Sequence, residues 1–373
     1  MSHAARLKRL GARLADIGVD ALLVTNLTNV RYLTGYTGSN GAIVVRPSSA
    51  VFLTDFRYLQ RVEPLREFVE VRQAKQDLIR FISTRWEELA PGAGRIGFES
   101  AHLTVAAHAR LSEAAGAVEL LPTIHVVEDQ RMVKDADEVA AIRRAADILA
   151  PVYETLVHEG LAGRTEFDIA WRVHELVRKH GGDDLSFDPI VASGTAGALP
   201  HAEPRREPIP EGVLVTIDIG AKLDGYCSDC TRTFATGPIS DELREIYELV
   251  ARAQQAGLEA VRPGVAGVDV DATVRQLIGD AGHGDHFQHG LGHGVGLDIH
   301  EDPRLAVGST ATLEPGMIVT VEPGVYVPGL GGVRIEDLVV VTDEGCERLT
   351  GYPKELIGAG DPLRTSHHHQ DHG

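Results

Sequence analysis

Apolar residues recur at helical spacing at the start of the chain, where Leu7, Leu10, Leu14 and Ile17 share one side, and ALLVT at 21–25 then reads as a buried strand. Further apolar runs at 42–45, 51–54 and 118–121 alternate with helical patterns near 75–90 and 103–115, which predicts a small α/β domain. Near residue 130 the segment VEDQRMVKDADEVAAIRR turns from strand-like to charged and helical, so a boundary is placed there, with domains at 1–130 and 131–365. Amphipathic helices are expected over 136–158 and 165–179, the second opened by a capping box of Thr165 and Asp168, and two more after Ser240 and Gly267. Strand runs lie between and after them, so a helix pair followed by a hairpin occurs twice without an internal sequence repeat.

The strand runs carry the acidic residues. In VLVTIDIG, alternation puts Val213, Val215, Ile217 and Ile219 on one face and Thr216 and Asp218 on the other. Asp224-Gly225 signals a two-residue hairpin loop, across which any odd separation keeps residues on one face; Asp218 and Asp229, eleven apart, should project together. A second hairpin runs from Ile318 to Glu322, stops at Pro323-Gly324 and returns from Val333 to Glu336, so Glu322 and Glu336 sit where two strands leave and re-enter the core. His293 stands among glycines at 290, 292, 294 and 296, too many for a helix at about 1 kcal/mol each. The pair His289/His293 is therefore no helical zinc motif, and Val295 occupies the place of the third glycine in a dinucleotide fingerprint.

Asp218, Asp229, His293, Glu322 and Glu336 together change the picture. A lone Asp before Gly is usually a turn residue and a lone Glu-Pro-Gly a strand end, but four carboxylates and an imidazole in apolar or Gly-rich stretches cannot share an interior uncompensated. Two divalent cations balance four negative charges, which points to a dinuclear hydrolase with metals about 3.5–4 Å apart activating a shared water. An oxygen-rich set without thiolate suits Mn²⁺ first, with Co²⁺, Fe²⁺ and Zn²⁺ open. Arg334, two residues before Glu336, is placed to neutralise a carboxylate.

The formal charge of −18 is uneven: 15 basic and 12 acidic residues lie in 1–125, but 21 and 42 in 126–373, which argues against nucleic acid as a partner. No run approaches the roughly 18–20 apolar residues of a membrane span, and the N-terminal pattern is an amphipathic helix rather than a signal peptide, so a cytoplasmic protein is expected. Cys227 and Cys230 should point to opposite strand faces as packed free thiols. The tail SHHHQDHG at 366–373 is read as disordered and able to bind stray metal.

The five ligand-type residues are separated by 11, 64, 29 and 14 positions. With IDIGAKLDGYCSDCTRTF, HGLGHGVGLDIHE, VTVEPGVY and GGVRIEDLVVV around them, they resemble the pita-bread metallopeptidases, the family of methionine aminopeptidase, aminopeptidase P and prolidase. The resemblance implies an α+β pita-bread (creatinase/aminopeptidase) catalytic domain with two metals. Asp229 and Glu336 would bridge them, Asp218 would chelate one, and His293 and Glu322 would complete the other. It implies that His201, in LPHAEP, binds substrate; that His289 and His300 flank the ligand histidine, one touching substrate and one stabilising the tetrahedral intermediate; that Glu322 assists proton transfer; and that Arg334 supports the site. On the bland reading, His201, His289 and His300 are structural histidines. The complete ligand set separates the chain from metal-free and scaffold relatives, and TNLTNVRYLTGYTGSNGAIVV at 25–45 resembles the smaller creatinase-like N-terminal domain of proline-specific members. The expected activity is that of an Xaa-Pro aminopeptidase of the aminopeptidase P kind, acting as a homodimer on peptides with proline second. The alternatives are an Xaa-Pro dipeptidase (prolidase), which needs a blocking loop or an arginine such as Arg31, Arg57 or Arg304 to capture the substrate carboxylate, and a non-enzymatic peptide-binding module.

Overall fold

The computed structural model describes residues 1–75 and 77–358; the His-rich tail lies outside the described residues. The chain divides into two compact units, Met1–Arg131 and Met132–Gly373.

The first unit is a six-stranded mixed sheet in the order Glu70–Gln73, Ala50–Thr54, Gly41–Val45, Ala21–Val24, Arg95–Glu99, Glu119–Thr123. Ala21–Val24 is buried at every position, as expected of a central strand covered on both faces. The first helix, His3–Arg13, is capped by Ser2 and buries Leu7 and Leu10, with Leu14 at its C-cap. Ile17 falls in the following turns and Val19 takes the buried place instead. The pattern at 75–90 resolves into two short helices, Leu78–Ser83 and Trp86–Leu89. Ser83 and Thr84 hydroxyls both donate to the Arg80 carbonyl, competing with the helical ladder there.

In the second unit, helices Leu149–Glu159 and Glu166–Lys179 pack on a three-stranded sheet with Leu214–Ile219 between Ile190–Ser193 and Cys230–Ala235. Asp241–Ala260 and Gly267–Asp280 pack on strands from a five-stranded sheet and from the two-stranded sheet Gly324–Val327/Gly331–Arg334. The five strands run Glu301–Leu305, Gly292–Gly294, Ile318–Val321, Asp337–Val341, Cys346–Arg348. Two layered halves result, each with its own core and helix pair. The stretch at 136–158 is two helices, Ala136–Asp147 and Leu149–Glu159, rather than one. Pro151 has no N–H to offer the Asp147 carbonyl, so the ladder breaks at Ile148. The first of these helices carries the complete capping box, Asp135 with Glu138, whereas at Thr165 the hydroxyl accepts from the Asp168 N–H. Cys227 and Cys230 are free, buried, and belong to different core clusters; burial pushes their thiols up to about 11 and about 12. Among the described residues no helix is long and apolar enough to cross a membrane.

Candidate metal centre

Two interrupted hairpins bring the carboxylates together. Asp224 and Gly225, both at positive φ (50° and 82°), form the tight turn, and the register it sets, Leu223 opposite Tyr226 and Lys222 opposite Cys227, continues to Asp218 opposite Thr231. Asp229 thus lies two residues from Asp218's cross-strand partner, on the same face. In the second hairpin, Ile318–Val321 pairs with Asp337–Val341 and Gly324–Val327 with Gly331–Arg334. Val321 faces Asp337 and Gly324 faces Arg334, so Glu322 and Glu336 are opposite one another in the gap between the ladders. The first strand stops before Pro323-Gly324, as expected, and a new one in a separate two-stranded sheet starts at Gly324. Pro323 removes one ladder donor, and pairing resumes beyond it until the turn after Val327.

His293 reaches the same gap from Gly292–Gly294, a strand that needs its glycines. A Cβ on Gly292 would stand 2.0 Å from the Thr320 carbonyl oxygen, and one on Gly294 2.4 Å from that of Asp302. Thr320 Oγ1 accepts from the His293 N–H (3.0 Å) and donates to Glu322 (3.1 Å), so one hydroxyl orients two candidate ligands. Gly292→Ala should therefore destabilise the fold by about 1–3 kcal/mol through overpacking and also weaken metal binding. Denaturant midpoints and a metal titration check this, and an unchanged midpoint would contradict it.

One ligand atom each of Asp229, His293 and Glu336 lie within 4.8 Å of one another. His293 Nδ1 is 3.0 Å from the Gly294 carbonyl, leaving Nε2 as the acceptor, 3.5 Å from both Asp229 Oδ2 and Glu322 Oε1. Burial, with mutual repulsion, pushes the Asp229 and Glu336 carboxyls well above their usual range and Glu322 up to about 7, while burial lowers His293 to about 3. Asp218 Oδ1 and Asp229 Oδ1 are buried with no hydrogen-bond partner among the described residues. Orphaned oxygens, crowded carboxylates and a neutral imidazole aimed at them fit divalent cations.

The sign of the pH dependence without metal follows. Glu322 is raised from 4.5 to about 7, so it contributes stability below about 4.5 that is lost as pH rises through about 7. Chelated wild type should lose stability relative to chelated Glu322→Gln over that window. Parallel pH profiles of the two melting temperatures would contradict it.

The flanking residues are placed as follows. Arg334, buried, donates to Asp218 Oδ2 (2.8 Å), Thr231 Oγ1 (3.2 Å) and Tyr326 OH (2.9 Å). Its carboxylate partner is thus Asp218 rather than nearby Glu336, to which Thr231 Oγ1 donates instead (2.7 Å). Tyr326 OH lies 2.9 Å from His289 Nε2, and His289 Nδ1 2.8 Å from the Gly290 carbonyl. Both His289 nitrogens are occupied within the protein, and burial lowers its pKa to about 4, which suits a supporting histidine. His300 is exposed with its ring edge-on to His293, centroids 4.4 Å apart, and burial followed by the charge of Arg304 holds its pKa below the usual value. His201 is exposed beside Pro200, whose carbonyl accepts from Arg334 (3.3 Å). Thr231, Thr320 and Tyr326 had no sequence signal beyond alternation with the acidic residues.

The fold and these residues define a metallohydrolase of the pita-bread class. The chain belongs to metallopeptidase family M24, whose model matches residues 140–343, and the creatinase/prolidase N-terminal domain matches 6–133. It carries both domains of the creatinase/prolidase members of that family. It is 41% identical over 352 residues to the uncharacterized peptidase YqhT of Bacillus subtilis (strain 168), covering 94% of this chain and 99% of that protein. A solved Xaa-Pro dipeptidase from Bacillus anthracis is 40% identical with a TM-score of 0.92, over 95% of this chain and 99% of that one. A solved X-Pro aminopeptidase from Thermotoga maritima MSB8 is 33% identical with a TM-score of 0.84, over 92% and 99%.

Proposed function

We propose that this protein is an Xaa-Pro dipeptidase, the alternative to the aminopeptidase expected above, with Asp218, Asp229, His293, Glu322 and Glu336 holding two divalent cations, Mn²⁺ first. The observation that carries the dipeptidase reading is Arg304. It lies opposite His293 in the Gly292–Gly294/Glu301–Leu305 ladder, so the two side chains share a face, and its charge bears on His293, His300 and Glu322. Its guanidinium has no ion-pair partner among the described residues, whereas Arg57 is already held by Asp55 through two bonds of 2.9 and 2.7 Å. An exposed arginine without an ion-pair partner, opposite His293, suits the free carboxylate of a dipeptide. The greater similarity to a dipeptidase than to an aminopeptidase supports the same reading.

When bound, the cations would supply an activated water and polarise the scissile carbonyl. The chain's own groups do the rest. Glu322, steadied by Thr320, takes the proton released by the attacking water and passes it to the proline nitrogen. His300, exposed beside His293, donates to the developing oxyanion. His201 contacts the substrate, while the Asp218–Arg334–Tyr326–His289 chain holds the wall behind it. Turnover of Ala-Pro against Ala-Pro-Ala tests the assignment. Cleavage confined to the dipeptide is expected, and efficient release of alanine from the tripeptide would return the aminopeptidase reading.

A further inference from the structure

On the face of Cys230–Ala235 opposite Thr231, Arg232 is 1% exposed and all five of its N–H donors are used. Nε donates to the Pro353 carbonyl (2.9 Å), Nη1 to the carbonyls of Thr231 (2.9 Å) and Glu336, and Nη2 to Asp337 Oδ1 (2.8 Å) and the Tyr352 carbonyl (2.6 Å). Asp337, fully buried, also accepts from Thr350 Oγ1 (2.8 Å) and Gln254 Nε2 (3.1 Å), with Lys354 Nζ 3.1 Å from Oδ2. Desolvating an ion pair is a poor way to gain stability, since an apolar pair of similar volume holds a sheet at least as well. What this pair provides is placement. Glu336 is gripped at three points: its N–H donates to the Thr231 carbonyl (3.1 Å), its carbonyl accepts from Arg232, and its carboxylate accepts from Thr231 Oγ1. That grip holds a carboxylate against the repulsion of Asp218 and Glu322, in a gap between two ladders that a long Ile335 N–H bond to the Pro323 carbonyl (3.4 Å) spans.

We propose that Arg232, anchored by Asp337, is a positioning residue of the metal centre: it fixes the main chain of Glu336 so that this carboxylate serves both cations, and thereby sets the affinity of the more weakly held ion. The proposal rests on reading the centre as a two-metal site. The test is calorimetric titration of Mn²⁺ into the chelated protein lacking residues 366–373, with unfolding midpoints measured alongside. Arg232→Lys keeps the charge and loses the five-donor fork. It should stay folded, bind the tighter ion within about threefold of wild type, and bind the weaker ion about 10–100-fold less well. The KM for a dipeptide at saturating Mn²⁺ should change less than the metal requirement. A folded variant with both affinities unchanged and only a lower midpoint would make Arg232 merely structural and overturn the proposal. If Arg232→Lys does not fold, the triple change Arg232→Gln, Asp337→Asn and Lys354→Gln neutralises the cluster together with Lys354 and must show the same selective loss. Wild type binding no Mn²⁺ would remove the two-metal reading and the proposal together; wild type binding two with unaltered variants would remove the proposal alone.

Discussion

Asp229→Asn, and equally Glu336→Gln, should lower turnover by at least about 10³-fold while raising the melting temperature of the metal-free protein. Losing an outer hydrogen-bond partner of a metal ligand costs roughly 10–100-fold, and a residue meant to serve both cations should cost more. The rise in stability comes from the same crowding. Asp229 and Glu336 are buried within reach of each other, of Asp218 and of Glu322, and burial with these charges pushes both carboxyls far above their normal range. An amide at either position removes one charge from the cluster and supplies N–H donors to the carboxylates that remain, so each kcal/mol relieved should appear as about 2–4 °C in a unit of this size. With metal present the order should reverse, because the wild type gains binding energy that the variant lacks. Melting curves of chelated and Mn²⁺-loaded proteins check this; a variant less stable than wild type in both states would contradict it.

Arg304→Met should raise the KM for Ala-Pro by about tenfold or more while changing kcat much less. The methionine keeps the apolar stem and removes the charge that lies opposite His293. The interaction lost holds the carboxylate equally in ground and transition states, which is the signature of uniform binding. The same substitution should leave hydrolysis of the dipeptide amide untouched, because that substrate presents no carboxylate. Equal losses on dipeptide and amide would assign Arg304 to the reaction itself rather than to recognition.

What the sequence made legible was whatever depends on local geometry. Asp218 and Asp229 could be placed on one face because Asp224-Gly225 dictates a turn with positive φ at both residues, and the register it sets survives a break in the ladder. Cys227 and Cys230 follow from strand alternation, and the break at 148 is signalled by Pro151, which a long periodic run masks. The partner of Arg334 was not legible. Proximity in sequence suggests Glu336, but the backbone changes ladders between them, and the guanidinium instead reaches Asp218, 116 positions away. Thr231 and Thr320 are ordinary strand residues until the fold brings a carboxylate to each hydroxyl. Arg304 is one of three arginine candidates for the substrate carboxylate, and its place opposite His293 comes from strand pairing that no local pattern encodes.

On the proposed reading, five side chains from two interrupted hairpins and one glycine-rich strand hold two cations that the reaction requires. The most direct measurement titrates Mn²⁺ into the chelated protein lacking residues 366–373, counting bound ions while following Ala-Pro hydrolysis in the same samples. Two ions per chain are expected, with activity absent from the chelated protein and complete only when both are bound. Full turnover in the chelated protein, or saturation at no ion, would contradict the account.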